Sequence, residues 1–155
     1  MPKPERLIKS LRKERLSLAL AESCSSGYAS YLLTKTPGAS KVFKGTIIVY
    51  SLYSKNKFFH IPYSLLEKKQ GVSGRIALTL AKKVKDIFKT DIGAAIVGFA
   101  GPKAQKGVKV GTTFLAVSAK KDTVIKKIIK GSRDQVRKKA SHLLLDLIYE
   151  SIYRN

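Results

Sequence analysis

Short apolar runs alternate along the chain with stretches in which apolar residues recur every three or four positions, and these two periods mark its strands and helices. Leu7, Ile8 and Leu11, set among basic residues, predict a short amphipathic helix that ends before an apolar strand at residues 16–21. Polar residues interrupt that strand. Tyr28, Ala29, Tyr31, Leu32 and Leu33 then fall at helical spacing, so the unit reads strand, tight turn, helix, closed by Thr36-Pro37-Gly38. Residues 44–51 concentrate β-branched and aromatic side chains and predict a second strand, followed by a polar loop. Pro62 starts a short helical turn, and Ser73 caps a helix carrying Ile76, Leu80, Val84 and Ile87 on related faces.

The nearly continuous apolar segment 92–97 fits a buried strand that leaves the sheet through the turn Gly98-Phe99-Ala100-Gly101-Pro102. Residues 110–117 supply a further strand, with Val124-Ile125 as a neighbouring hairpin arm. Beyond Gly131, the spacing of Val136, Ala140, Leu143, Leu147 and Ile152 predicts a long packing helix. No repeat or low-complexity tract divides the chain, so residues 1–155 are expected to form a single three-layer α/β domain, a mixed sheet covered by helices.

Composition adds charge to this picture. Thirty-one Lys and Arg face 10 Asp and Glu, a formal charge of +21, which attracts anionic ligands before any specific contact forms. The basic residues are spread along the chain and follow no homeodomain, zinc-finger or RNP-type spacing, so a generally basic surface is expected and nucleic acid is not the expected principal partner. A lone cysteine, Cys24, excludes an intrachain disulfide and a cysteine-based zinc cluster and fits a reducing cytoplasm. The segment Met1 to Arg6 leads into charged residues rather than a long apolar core, and no later stretch offers roughly 20 continuous apolar residues, so neither secretion nor membrane spanning is expected.

Candidate chemistry gathers at Ala21-Glu22-Ser23-Cys24, where a strand turns into a helix and a nucleophile can sit beside unpaired backbone N–H groups. Two readings stand side by side: Ser23 or Cys24 acts as nucleophile, or Ser23 caps the helix and Cys24 packs inside. His60, near a turn, and His142, opening an apolar run of the last helix, form no catalytic pair. A hydrolase would need another base; a desolvated Lys55 qualifies, although composition alone does not select it among so many lysines.

The motifs Leu20-Ala21-Glu22-Ser23-Cys24-Ser25-Ser26-Gly27, Pro37-Gly38-Ala39-Ser40, Val49-Tyr50-Ser51, Gly98-Phe99-Ala100-Gly101-Pro102, Val110-Gly111-Thr112 and Gly131-Ser132-Arg133-Asp134 together resemble the C-terminal domain of the competence-damage-inducible protein CinA. The resemblance covers nearly the whole chain and leaves out the additional N-terminal domain of longer family members. It implies hydrolysis of the carboxamide of nicotinamide mononucleotide to nicotinic acid mononucleotide and ammonia, without cofactor or metal, with a phosphate-bearing nicotinamide nucleotide as partner. It also leaves homo-oligomerisation open. By the same resemblance Ser23 corresponds to the nucleophile, Lys55 to its activating base and Tyr50 to the active-site tyrosine. Ser40, Gly101 and Arg133 correspond to substrate contacts, with the Arg133 guanidinium suited to a phosphate.

The chain also departs from the family pattern. Leu52 stands where Asn is common and Val97 where Thr is common, Ser25-Ser26-Gly27 replaces Thr-Gly-Gly, and the loop from Pro102 to Val110 is shortened. These changes keep the Ser/Lys pair but raise the alternative of a noncatalytic nucleotide-binding or protein-interaction domain.

Overall fold

The computed structural model describes residues 4–153, so Met1 to Lys3 of the leading segment lie outside the described residues. Helix α1 (Pro4–Lys13) precedes strand β1 (Leu18–Glu22) and helix α2 (Tyr28–Thr34); a 3-10 turn at Ala39–Lys41 leads into β2 (Phe43–Ile48). Helices α3 (Leu52–Phe59), α4 (Tyr63–Lys68) and α5 (Gly74–Phe88) follow. Then come β3 (Ile92–Gly98), the hairpin β4 (Thr112–Ser118) and β5 (Thr123–Ile128), and the 20-residue α6 (Arg133–Ile152).

The strands form one sheet in the order β2-β1-β3-β4-β5. β1 runs parallel to β2 and β3, whereas β3–β4 and β4–β5 are antiparallel, so the sheet is mixed as expected. Side-chain alternation then separates two cores. Leu18, Leu20, Ala94, Ile96, Leu115 and Val117 face α1, α2 and α6, while Ala19, Ala21, Ala95, Val97 and Ala116 face α5. The second face is built largely from alanine, which lets α5 approach closely. Gly93 carries this furthest, because a Cβ there would stand 2.1 Å from the Ala81 carbonyl oxygen.

Some local expectations differ from the structure. The second strand ends at Ile48 rather than residue 51, and the polar loop expected after it is instead α3. Ser51 starts this helix through a capping box, accepting from the Ser54 N–H while the Ser54 hydroxyl serves the Ser51 N–H. Ile87 is half exposed, its neighbour Phe88 being the residue of the last turn of α5 that packs on the core, and Leu143 and Ile152 on α6 are only partly covered. Ser73 does cap α5, accepting from the Ile76 N–H at 3.1 Å.

Candidate active site

Strand β1 carries Glu22 to the carboxyl edge of the sheet, the edge at which parallel α/β sheets bind ligands, and buries its side chain completely. Its carboxylate collects five donors. Oε2 accepts from the Ser25 hydroxyl at 2.6 Å and from the N–H groups of Gly27 and Ala29 at 2.9 and 3.2 Å; Oε1 accepts from the N–H and hydroxyl of Ser30 at 2.9 and 2.5 Å. Helix α2 begins after Gly27, at φ +93°, with no side-chain cap from that residue, so Glu22 satisfies the orphan N–H groups of its first turn with a charge of favourable sign. The reading in which Ser23 caps the helix is thereby corrected: the cap is the neighbouring carboxylate.

Ser23 is free of capping and held from both sides. Its N–H donates to the Ile96 carbonyl at 3.1 Å, continuing the β1–β3 ladder, and its own carbonyl accepts from the Ser26 N–H at 3.1 Å. From α6, Arg137 donates through Nε to the Cys24 carbonyl at 3.0 Å and through Nη2 to the Ser25 carbonyl at 3.3 Å. The Cys24 N–H donates to no backbone carbonyl among the described residues.

Helix α3 supplies the second half of the site. One turn after its cap, Lys55 points inward and is only 2% exposed. Its Nζ lies 2.9 Å from Ser23 Oγ and 3.5 Å from the Tyr50 carbonyl oxygen. Burial favours the uncharged amine and pushes the Lys55 pKa down to about 8, near enough to neutrality for a lysine to take a hydroxyl proton. The adjacent Cys24 is affected in the opposite sense: burial raises its thiol to about 12 and keeps it protonated.

An open pocket of about 200 Å³ exposes this pair, lined by Ser23, Cys24, Tyr50, Lys55, Gln70, Val72, residues 98–101, Lys103 and Arg133. Arg133, the first residue of α6, reaches across the mouth and donates to the Tyr50 hydroxyl at 2.7 Å and to the Gly101 carbonyl. Ser23, Lys55, Tyr50, Gly101 and Arg133 therefore meet at one place. Ser40 does not join them; it is exposed in a separate depression with Thr34, Pro37, Gly38 and Lys44. Leu52 and Val97 are also absent from the pocket lining: Val97 is buried on the α5 face, and Leu52 packs at the edge of the same core. His60 ends α3 and His142 lies on α6, both outside the pocket.

Sequence reasoning gave no role to Glu22, Gln70, Lys103 or Arg137. Glu22 alone carried a signal, an acidic residue closing an apolar strand and followed by small polar residues. No group of His, Cys, Asp and Glu suited to a metal occurs among the described residues. Nor is any helix among them long and apolar enough to cross a membrane.

A three-layer α/β domain with a buried Ser–Lys pair at the carboxyl edge of its parallel strands is the class that fold and site define. The chain belongs to the CinA C-terminal domain family, whose model matches residues 2–152. It is 37% identical over 136 residues to a competence-damage inducible protein of Bacillus cereus, covering 86% of this chain and 33% of the relative. It is 38% identical over 133 residues to a CinA-like protein of Prochlorococcus marinus, covering 84% and 31%. The chain thus spans about a third of the length of the curated relatives it matches. Among solved structures, the competence or damage-inducible protein from Enterobacter asburiae superposes with a TM-score of 0.89 at 25% identity, covering 98% of this chain and 99% of that one. A CinA superfamily protein from Klebsiella pneumoniae gives 0.91 at 20% identity over 96% and 94%, a likeness of fold alone.

Proposed function

We propose that this domain hydrolyses the carboxamide of nicotinamide mononucleotide by a Ser–Lys mechanism, releasing nicotinic acid mononucleotide and ammonia. The observation that carries this reading is the 2.9 Å approach of a buried Lys55 Nζ to Ser23 Oγ at the floor of an open pocket. Neutral Lys55 accepts the Ser23 hydroxyl proton as Oγ attacks the amide carbon. The resulting oxyanion is stabilised by backbone donors of the nucleophile turn, among which the Cys24 N–H donates to no backbone carbonyl among the described residues. Lys55 ammonium then returns the proton to the departing nitrogen, ammonia leaves, and Ser23 carries the acyl group as an ester. Water, deprotonated by Lys55, attacks that ester and regenerates the hydroxyl. Tyr50 holds the Arg133 guanidinium, which together with Lys103 offers positive charge to a phosphate.

A pocket of about 200 Å³ is below the roughly 300–1,000 Å³ usual for ligand sites, which suits an amide-bearing ring inside and a phosphate at the cationic rim. Cys24 is the poorer nucleophile despite the greater intrinsic reactivity of thiols, because a thiol at about 12 supplies almost no thiolate at neutral pH.

Ammonia release from nicotinamide mononucleotide, with mass detection of the acyl-enzyme, tests this directly. Folded S23A should form no adduct and release almost no ammonia, while C24A should retain a measurable fraction of both. The reverse pattern would make Cys24 the nucleophile. Nucleotide binding with neither adduct nor ammonia from the unsubstituted protein would favour a binding domain instead.

A further inference from the structure

The turn between α4 and α5 lies against the aliphatic part of Lys55. It reverses the chain through two consecutive left-handed residues, Gln70 at φ +48° and Gly71 at φ +73°. The Gly71 N–H donates to the Leu66 carbonyl at 2.8 Å and the Gln70 N–H to the Glu67 carbonyl at 3.3 Å, the paired bonds that close a helix in a Schellman turn. Glycine usually takes the first left-handed position of such a turn; here Gln70 takes it, and the glycine comes one residue later. The surroundings of Gly71 account for that placement. A Cβ at Gly71 would stand 2.8 Å from Leu52 Cδ2 and 3.3 and 3.4 Å from Lys55 Cδ and Cε. Any side chain there would collide with Leu52 and crowd the lysine stem, besides straining the backbone.

We propose that Gly71 and Leu52 are positioning residues that pack over the Lys55 stem, exclude water from it and keep its amine aimed at Ser23. The proposal rests on the reading of Lys55 as the base. The lysine is 2% exposed beneath this cover and the neighbouring pocket residues, and its lowered pKa follows from the lost hydration. The other charged or titratable groups around it do not replace that effect. Cys24 stays protonated, Glu22 is spent on the first turn of α2, and Tyr50 binds Arg133, which stands with Lys103 at the pocket mouth.

The experiment follows the ionisation of Lys55 itself, by NMR of protein labelled with 13C at lysine Cε, its resonance assigned by its loss in K55M. The unsubstituted protein should titrate near 8. L52A, which opens the cover without touching the backbone, and G71A should both titrate about one unit or more higher, toward the exposed-lysine value of about 10.4. L52M, which restores the apolar cover, should return the midpoint. Each unit removes about tenfold of the neutral amine at pH 7, so ammonia release by L52A should fall about tenfold at pH 7 and recover toward pH 10. If G71A does not fold, L52A decides. A folded L52A that titrates within about 0.3 unit of the unsubstituted protein overturns the proposal. The titration needs no substrate, so an unsubstituted protein that releases no ammonia would sink the proposed reaction while leaving the cover to be judged by the Lys55 midpoint.

Discussion

Replacing Lys55 by methionine should make the protein inactive and, at neutral pH, more stable. Burial moves the lysine from 10.5 to about 8, roughly 2.5 units, and at about 1.36 kcal/mol per unit the buried ammonium costs the folded state about 3 kcal/mol. The folded-state pKa lies below the unfolded one, which fixes the sign. Below about pH 8 both states carry the ammonium and the whole penalty is felt; between about 8 and 10.5 the folded protein gives up its proton first and stability rises; above 10.5 the penalty is gone. Methionine fills a similar volume without an amine and forfeits the contact with Ser23 Oγ, worth about 1 kcal/mol. K55M should therefore be about 2 kcal/mol more stable at pH 6.5, a rise in Tm of roughly 4–8 °C for a domain of this size. That advantage should vanish at about pH 10 and give way above it to a deficit of up to about 1 kcal/mol, the lost contact with Ser23. Urea unfolding of both proteins at pH 6.5, 8 and 10 measures the difference, since the remaining lysines titrate alike in the two. A stability difference that stays constant over this range would refute the claim that Lys55 is strained by burial.

Two further substitutions probe the supports of the pair. E22Q keeps the shape of Glu22 but turns an NH2 group toward donors, and should lose about 1–3 kcal/mol in urea unfolding together with Ser23 reactivity; unchanged stability would show that the carboxylate is not what holds the turn. R133A should raise KM for nicotinamide mononucleotide more than it lowers kcat, because its guanidinium lies at the pocket mouth rather than beside Ser23 Oγ. An equal fall in kcat at saturation, with binding intact, would assign Arg133 to the chemical step.

The fold was legible where a continuous apolar run or a single period dominated. Residues 92–97 form β3 almost to the residue, and the 3.6-residue stripe through Val136, Ala140 and Leu147 is the buried face of α6. Helix α3 was hidden because only Lys55 and Phe59 of its eight residues are buried, and because its cap uses serine at both positions of the box rather than the Ser-x-x-Glu pattern. The site divided in the same way. Ser23 could be suspected from its strand-to-helix turn, but Lys55 was named by resemblance, since its distinction is burial, and Ser23, the turn at Gly71 and residues 98–101 come to it from elsewhere in the chain. The role of Glu22 was only hinted at for a related reason: three of its five donors are main-chain N–H groups, whose directions exist only once the turn has formed.

Arg137 reaches its carbonyl at Cys24 across 113 residues of chain, and Arg133 enters the pocket mouth from the same helix. On a ribosome the chain emerges N-terminus first, at about 5–20 residues per second, so β1 and its turn are outside the exit tunnel for several seconds before either arginine is made. During that interval the Cys24 carbonyl lacks its Arg137 partner, the Ser25 carbonyl has only the nearby Tyr28 N–H, and the rim lacks its guanidinium. The turn that bears Ser23 is therefore translated well before the helix whose arginines brace it, and chains terminated short of α6 carry Ser23 and Lys55 without that clamp.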